Sequence, residues 1–202
     1  MSYGTLKTYE EVAAQFEIEM LEKQFIQQQS LAVSPDIFQF IQKNLQLRRN
    51  YISESAICET MISPILNLVS EAQDLPVWSH VRFDVDETAG LIGVPDFLIA
   101  PASKIGTTFT QPVICVAEAK KENFNEGWAQ ALSEMIAAQR FNQNEGLCLF
   151  GVVSTGSIWQ FAQLQGPVLT MDVISYSALE NLQKVFDCLN WLFMQAKQGF
   201  QY

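Results

Sequence analysis

Gly93-Val94-Pro95-Asp96-Phe97-Leu98-Ile99-Ala100 and, after a loop, Val113-Ile114-Cys115-Val116-Ala117-Glu118-Ala119-Lys120 are two apolar runs that carry charge where a purely structural strand would have none. Residues two apart on a β-strand point to the same face. Glu118 and Lys120 therefore project side by side at the end of a run of Val, Ile, Cys and Ala. Asp96, Glu118 and Lys120 are expected to meet in one metal-dependent site.

Working outward, residues 77–84 read as a strand and Asp86-Glu87-Thr88-Ala89-Gly90 as a turn into the strand over 91–100, a hairpin. Residues 101–111 form a Ser/Thr/Gly loop, and 112–119 is apolar enough to be central in a sheet. A helix is expected over 125–141, with Trp128, Ala131, Leu132, Met135, Ile136 and Ala138 on its apolar side. Strands at 147–154 and 158–164 are joined through Thr155-Gly156-Ser157, and a short strand follows at 168–174. Ser177-Ala178-Leu179-Glu180 is a capping box opening a last helix that runs to about 197.

Three helices are expected before the strands. Val12, Phe16, Met20 and Phe25 recur near helical spacing over 8–29. Ser34-Pro35-Asp36 then caps a second helix whose apolar side is Ile37, Phe38, Ile41 and Leu45. The third covers 53–72, with Pro64 implying a kink or break near Ser63. At about 100° per residue, Glu54 falls near the middle of this helix's apolar face and Glu59 about 140° round. A carboxylate aimed at the core needs a cation, a metal or a helix terminus. The plain alternative is that Glu54 only favours the helix dipole.

With 202 residues, about half apolar and 17% charged, the chain can bury a full core. Its apolar runs are too short to span a membrane, and Met1-Ser2-Tyr3-Gly4-Thr5-Leu6-Lys7 lacks a signal-peptide layout, so a cytoplasmic location is expected. Cys58, Cys115, Cys148 and Cys188 form no CxxC pair and read as buried free thiols. His80, the only histidine, cannot build a His-based metal site or, without a nucleophile-elbow motif, a Ser-His-Asp triad. The net charge of −10 argues against a broad nucleic-acid surface, but not against a cleft that binds metal first and phosphate second.

Phosphodiester hydrolysis needs a divalent cation to hold the phosphate and acidify a water. Mg²⁺ takes oxygen ligands, usually one or two carboxylates plus water and phosphate oxygens. A nearby Lys can position the water and stabilise developing charge. Asp96, Glu118 and Lys120 supply these parts, and the backbone carbonyl of Ala119 is a credible further ligand.

Pro95-Asp96, some twenty residues of spacer, then Glu118-Ala119-Lys120 resembles the signature of the PD-(D/E)XK nuclease superfamily. Residues 50–66, with Ile62-Ser63-Pro64-Ile65-Leu66, are similar to the helix that opens the nuclease-like domain of type I restriction enzyme motor subunits. The resemblance covers about 51–164. It implies an α/β fold, a restriction-endonuclease-like mixed β-sheet flanked by helices with extra N-terminal helices. It divides the chain into a helical extension over 1–49, packing on the core, and a nuclease-like domain over 50–202. It implies that Asp96 and Glu118 bind Mg²⁺ or Mn²⁺, with Glu54 assisting the metal or its waters. Lys120 would position or activate water, and Gln130 would orient Lys120, the water or the DNA backbone. The implied function is hydrolysis of DNA, or RNA.

Each of these residues also has a plain reading. Asp96 can be a strand-edge residue, Glu118 and Lys120 a neighbouring ion pair, and Gln130 an exposed helix residue. Asp84 and Asp86 read as turn residues, Lys121 as a solvated neighbour, and Trp128 and Trp159 as core. The alternative function is a non-catalytic partner-binding or regulatory module that keeps the nuclease fold. The N-terminal helices read as a cap or oligomerisation element, so a homodimer or a partner protein is the expected assembly.

Overall fold

The computed structural model describes residues 3–198. It is a mixed α/β fold built on an open eight-stranded sheet. The strands are β1 (Glu19–Glu22), β2 (Val77–Ser79), β3 (Phe97–Ile99), β4 (Cys115–Ala119), β5 (Leu149–Ser154), β6 (Ile158–Gln165), β7 (Val168–Met171) and β8 (Tyr176–Ser177). Their order is β1-β7-β6-β5-β4-β3-β2, with β8 also paired to β6. The β4–β5 and β1–β7 pairs are parallel and the others antiparallel. Every residue of β4 and β5 is buried, which requires cover on both faces.

The helices supply that cover. They are α1 (Tyr9–Phe16), α2 (Pro35–Leu45), α3 (Glu54–Ile57), α4 (Ser63–Gln73), α5 (Phe124–Asn142) and α6 (Ala178–Gln198). The α5 helix packs on β4 and β5, and α1 packs on α5. The α6 helix packs on β5, β6 and β8 and carries α4 and α2. The apolar positions expected for the helix over 125–141 are all buried, as are Leu182, Val185, Phe186, Leu189, Leu192 and Phe193 of α6. Among the described residues, no helix is long and apolar enough to cross a membrane.

The single helix expected over 8–29 does not form. The α1 helix ends at Glu17, which adopts a left-handed conformation (φ 55°), and the chain turns into the edge strand β1. Residues 23–34 then run without regular secondary structure, held by side chains from distant segments. Asp172 Oδ2 accepts from the backbone N–H groups of Phe25 (2.9 Å) and Ile26 (2.8 Å), and Asp187 Oδ1 from that of Leu31 (3.0 Å). Helical spacing of Met20 and Phe25 was a local signal, and these long-range acceptors override it.

The helix expected over 53–72 is continuous, but Pro64 acts differently from a break. Pro64 has no N–H to give to Thr60, and Asn44 Nδ2 takes up that carbonyl (3.1 Å). The Ser63 N–H reaches back five residues to the Cys58 carbonyl, so Cys58–Ile62 is a π-turn between α3 and α4. The expected hairpin is present but short, since regular pairing covers only Val77–Ser79 and Phe97–Ile99. The last helix opens at Ala178 as its capping box suggests, with Ser177 Oγ accepting from the Glu180 N–H (3.2 Å), but it kinks three residues in. Asn181 is non-helical, and its Oδ1 accepts from the Lys184 N–H (3.0 Å), capping the long segment.

Asp172 also accepts from the Ile174 N–H (2.8 Å), so one buried carboxylate satisfies three backbone donors. Asp172→Ala is expected to destabilise the protein by roughly 2–4 kcal/mol. Urea denaturation measures this, and an unchanged midpoint would contradict the assignment of residues 23–34 to this anchor.

Candidate metal-dependent site

The registers of β2, β3 and β4 place the site. Phe97 pairs with Ala117 and Ser79 with Phe97. One step further along both ladders, His80, Asp96 and Glu118 stand in a row. The His80 N–H donates to the Asp96 carbonyl (3.0 Å), continuing the ladder past β2. Two further bonds fix Asp96 against Glu118. The Asp96 N–H donates to Glu118 Oε1 (3.1 Å), and the Ala119 N–H donates to Asp96 Oδ2 (2.8 Å). A strand residue's N–H and C=O lie on the same edge. The Ala119 carbonyl is therefore turned toward the Asp96 side, as a ligand there would need.

Glu118 and Lys120 share the face covered by α5. Lys120 Nζ lies 3.5 Å from Glu118 Oε2, 3.2 Å from Gln130 Oε1 and 4.0 Å from Glu54 Oε2. Gly127 makes this approach possible. A Cβ there would lie 2.6 Å from Val153 Cγ1 and 2.9 Å from Lys120 Cγ, so only glycine lets α5 sit this close. One turn beyond Gln130 is Glu134, fully buried, with Oε1 accepting from Gln130 Nε2 (3.4 Å). Its Oε2 makes no hydrogen bond among the described residues.

The electrostatics follow from this crowding. Burial and then the Asp96 charge push the Glu118 carboxyl up to about 8. Burial and Glu118 hold Glu134 well above the usual carboxylate range. Burial pulls Lys120 down, but Glu118, Glu54 and Asp96 together outweigh it, leaving the ammonium above its ordinary value. Four carboxyl groups thus face a single ammonium. The oxygen-only donors Asp96, Glu118 and Ala119 C=O, and the orphaned Glu134 oxygen, fit a hard divalent cation that would displace the proton Glu118 otherwise holds.

The residues expected at the site therefore converge: Asp96, Glu118, Lys120, Gln130 and Glu54. Glu54 differs in setting. Its side chain is half exposed at the rim, 4.0 Å from Lys120, instead of aimed into the core. Glu59 is exposed. Asp84 accepts from the Gly93 N–H (3.0 Å), and Asp86 from Thr88 Oγ1 and the Ala89 N–H, as turn residues do. Trp128 and Trp159 are core. The cysteines are free, three buried and Cys148 half-buried.

Two residues at this centre were not read from the sequence. Glu134 follows Gln130 by four and shares its helix face with Gly127, Ala131 and Ala138. A carboxylate on a small-residue face four positions after Gln130 was the available signal. His80 contacts Asp96 Oδ1 through Nε2 (3.4 Å). A separate cleft of about 600 Å³, beside Phe16, Ile136, Gln139 and Arg140, gathers no comparable set of groups. Its Arg140 is already paired with Asp86 (2.5 Å). No family model and no curated protein matches the chain.

The native protein keeps a proton on Glu118 between the ordinary 4.5 and about 8, where the unfolded chain has lost it. The stability this gives is full below about pH 4.5 and is lost as the pH rises through about 8. Metal-free protein should therefore melt at progressively lower temperature from about pH 5 to pH 8. Mg²⁺ should offset the loss most at the alkaline end, and Glu134→Gln should flatten the slope. Calorimetric melting across this range checks it, and a midpoint that rises with pH would contradict it.

Proposed function

We propose that the protein is a Mg²⁺- or Mn²⁺-dependent nuclease with a restriction-endonuclease-like fold, hydrolysing phosphodiester bonds of DNA. The convergence of Glu54, Asp96, Glu118, Lys120 and Gln130 around one buried carboxylate supports this reading. A strand-end ion pair with no further role would not need a second buried carboxyl behind it or a glycine cut into the covering helix.

Asp96, Glu118 and the Ala119 carbonyl would hold the cation, with Glu54 reaching its water shell from the rim. When bound, the cation would polarise the phosphate and acidify a water. Lys120 is held as an ammonium by its carboxylate neighbours. It therefore orients the water and stabilises charge on the phosphate, and does not itself take the proton. Gln130 Oε1 accepts from Lys120 and fixes its direction, while Gln130 Nε2 donates to Glu134.

Incubation with plasmid and single-stranded DNA in Mg²⁺ or Mn²⁺ should give cleavage. Lys120→Ala should lower it about 10²–10³-fold, and Asp96→Ala should abolish it. No cleavage of either substrate, or equal cleavage by the variants, overturns the reading.

The net charge of −10 supports a second reading, a non-catalytic module that keeps the same fold and binds a partner. Calorimetric titration with Mn²⁺ separates the two. Binding that disappears in Asp96→Ala supports the enzyme, and absence of binding supports the module.

A further inference from the structure

Beside the oxygen donors of Asp96, Glu118 and Ala119 lies a group of different chemistry. The ligand atoms of Cys58, His80 and Asp96 all lie within 4.8 Å of one another. We infer that these three residues bind a divalent transition metal of the zinc class, at a site that shares the Asp96 carboxylate with the proposed Mg²⁺ ligands but adds a thiol and an imidazole. Thiolate, imidazole and carboxylate together select zinc-like ions over Mg²⁺, which takes oxygen alone.

The geometry carries this. His80 Nε2 and Asp96 Oδ1 are 3.4 Å apart, close to the roughly 3.3 Å edge of a tetrahedron with bonds of about 2.0 Å. His80 Nδ1 meets Ser79 Oγ at 2.8 Å, which fixes the ring with Nε2 turned to the carboxylate. A hydrogen bond on the non-ligating nitrogen is the usual companion of a ligating imidazole. Asp96 is held from its other oxygen by the Ala119 N–H, leaving Oδ1 for this site.

The backbone around the group is unusual at two of its three residues. His80 has φ 52°, a left-handed conformation uncommon outside glycine and costly to keep without a reason. Cys58 opens the π-turn, where the extra residue per turn re-aims the side chains that follow α3. Cys58 is buried while His80 is exposed, so the thiol lies beneath the imidazole and an ion can enter past the ring. Three protein ligands leave a fourth position open for water or an anionic ligand, the arrangement of sites that do chemistry. On binding, the Cys58 thiol gives its proton to solvent and ligates as thiolate.

The inference does not depend on the nuclease reading, because the ion is detected without nucleic acid. Chelator-treated protein is titrated with Co²⁺, a spectroscopic stand-in for Zn²⁺. A thiolate-to-cobalt charge-transfer band in the near ultraviolet and intense visible bands should saturate at about one ion per chain. Zn²⁺ should remove the spectrum and Mg²⁺ should not. Cys58→Ser should lose the charge-transfer band, while Cys188→Ser keeps it. His80→Asn, which tolerates the left-handed backbone, should weaken binding by about 10-fold or more. Absence of the band in the unaltered protein overturns the site, as does its persistence in Cys58→Ser, displacement by Mg²⁺, or unchanged affinity in His80→Asn. Loss of DNA cleavage with an intact cobalt spectrum would instead count against the nuclease reading alone.

Discussion

The pairing of Asp96 against Glu118 across β3 and β4 is the constraint on which this centre depends. The antiparallel register sets them opposite each other, and two backbone N–H groups lock them there. Two carboxylates at this distance repel, and burial of Glu118 strengthens the repulsion. Paired strands can impose such an arrangement because slipping the register would turn every buried residue of β4 to the wrong face. The fold thus holds in place two carboxyl groups that cannot both ionise without cost.

The surrounding elements respond to that imposed charge. Lys120 supplies a cation from the same strand face, and Gly127 lets α5 approach closely enough to cover it. Gln130 and Glu134, one helical turn apart, extend the network inward to a carboxyl with an oxygen that no ordinary hydrogen bond satisfies. A buried polar network left partly satisfied is costly. A bound cation would relieve that cost. Burial that keeps protons on Glu118 and Glu134 relieves part of it.

The strands and long helices were legible because their signals are local. The apolar run ending in Glu118 and Lys120 gave β4 its central place, and two-residue alternation put both charges on one face. The spacing of Trp128, Leu132 and Met135 gave α5. What escaped was decided by distant partners. The β1 strand exists because β7 lies beside it, and residues 23–34 follow the acceptors of Asp172 and Asp187. Cys58 and His80 each looked like an isolated residue of no consequence, and only the π-turn and the continued β2–β3 ladder bring them to Asp96. Glu54 sits at the rim because the wheel that aimed it at the core assumed a uniform helix, whereas the π-turn shifts the phase between α3 and α4.

The most direct test of the central claim, that the Asp96–Glu118 pair is built to hold a divalent cation, is a crystal structure of the protein soaked in Mn²⁺ and measured at the manganese absorption edge. The account predicts an anomalous peak contacted by the carboxylates of Asp96 and Glu118 and by the Ala119 carbonyl, with Lys120 turned toward the open side of the ion. A crystal with no peak there, and Glu118 still bonded to the Asp96 N–H and Lys120 alone, would contradict it.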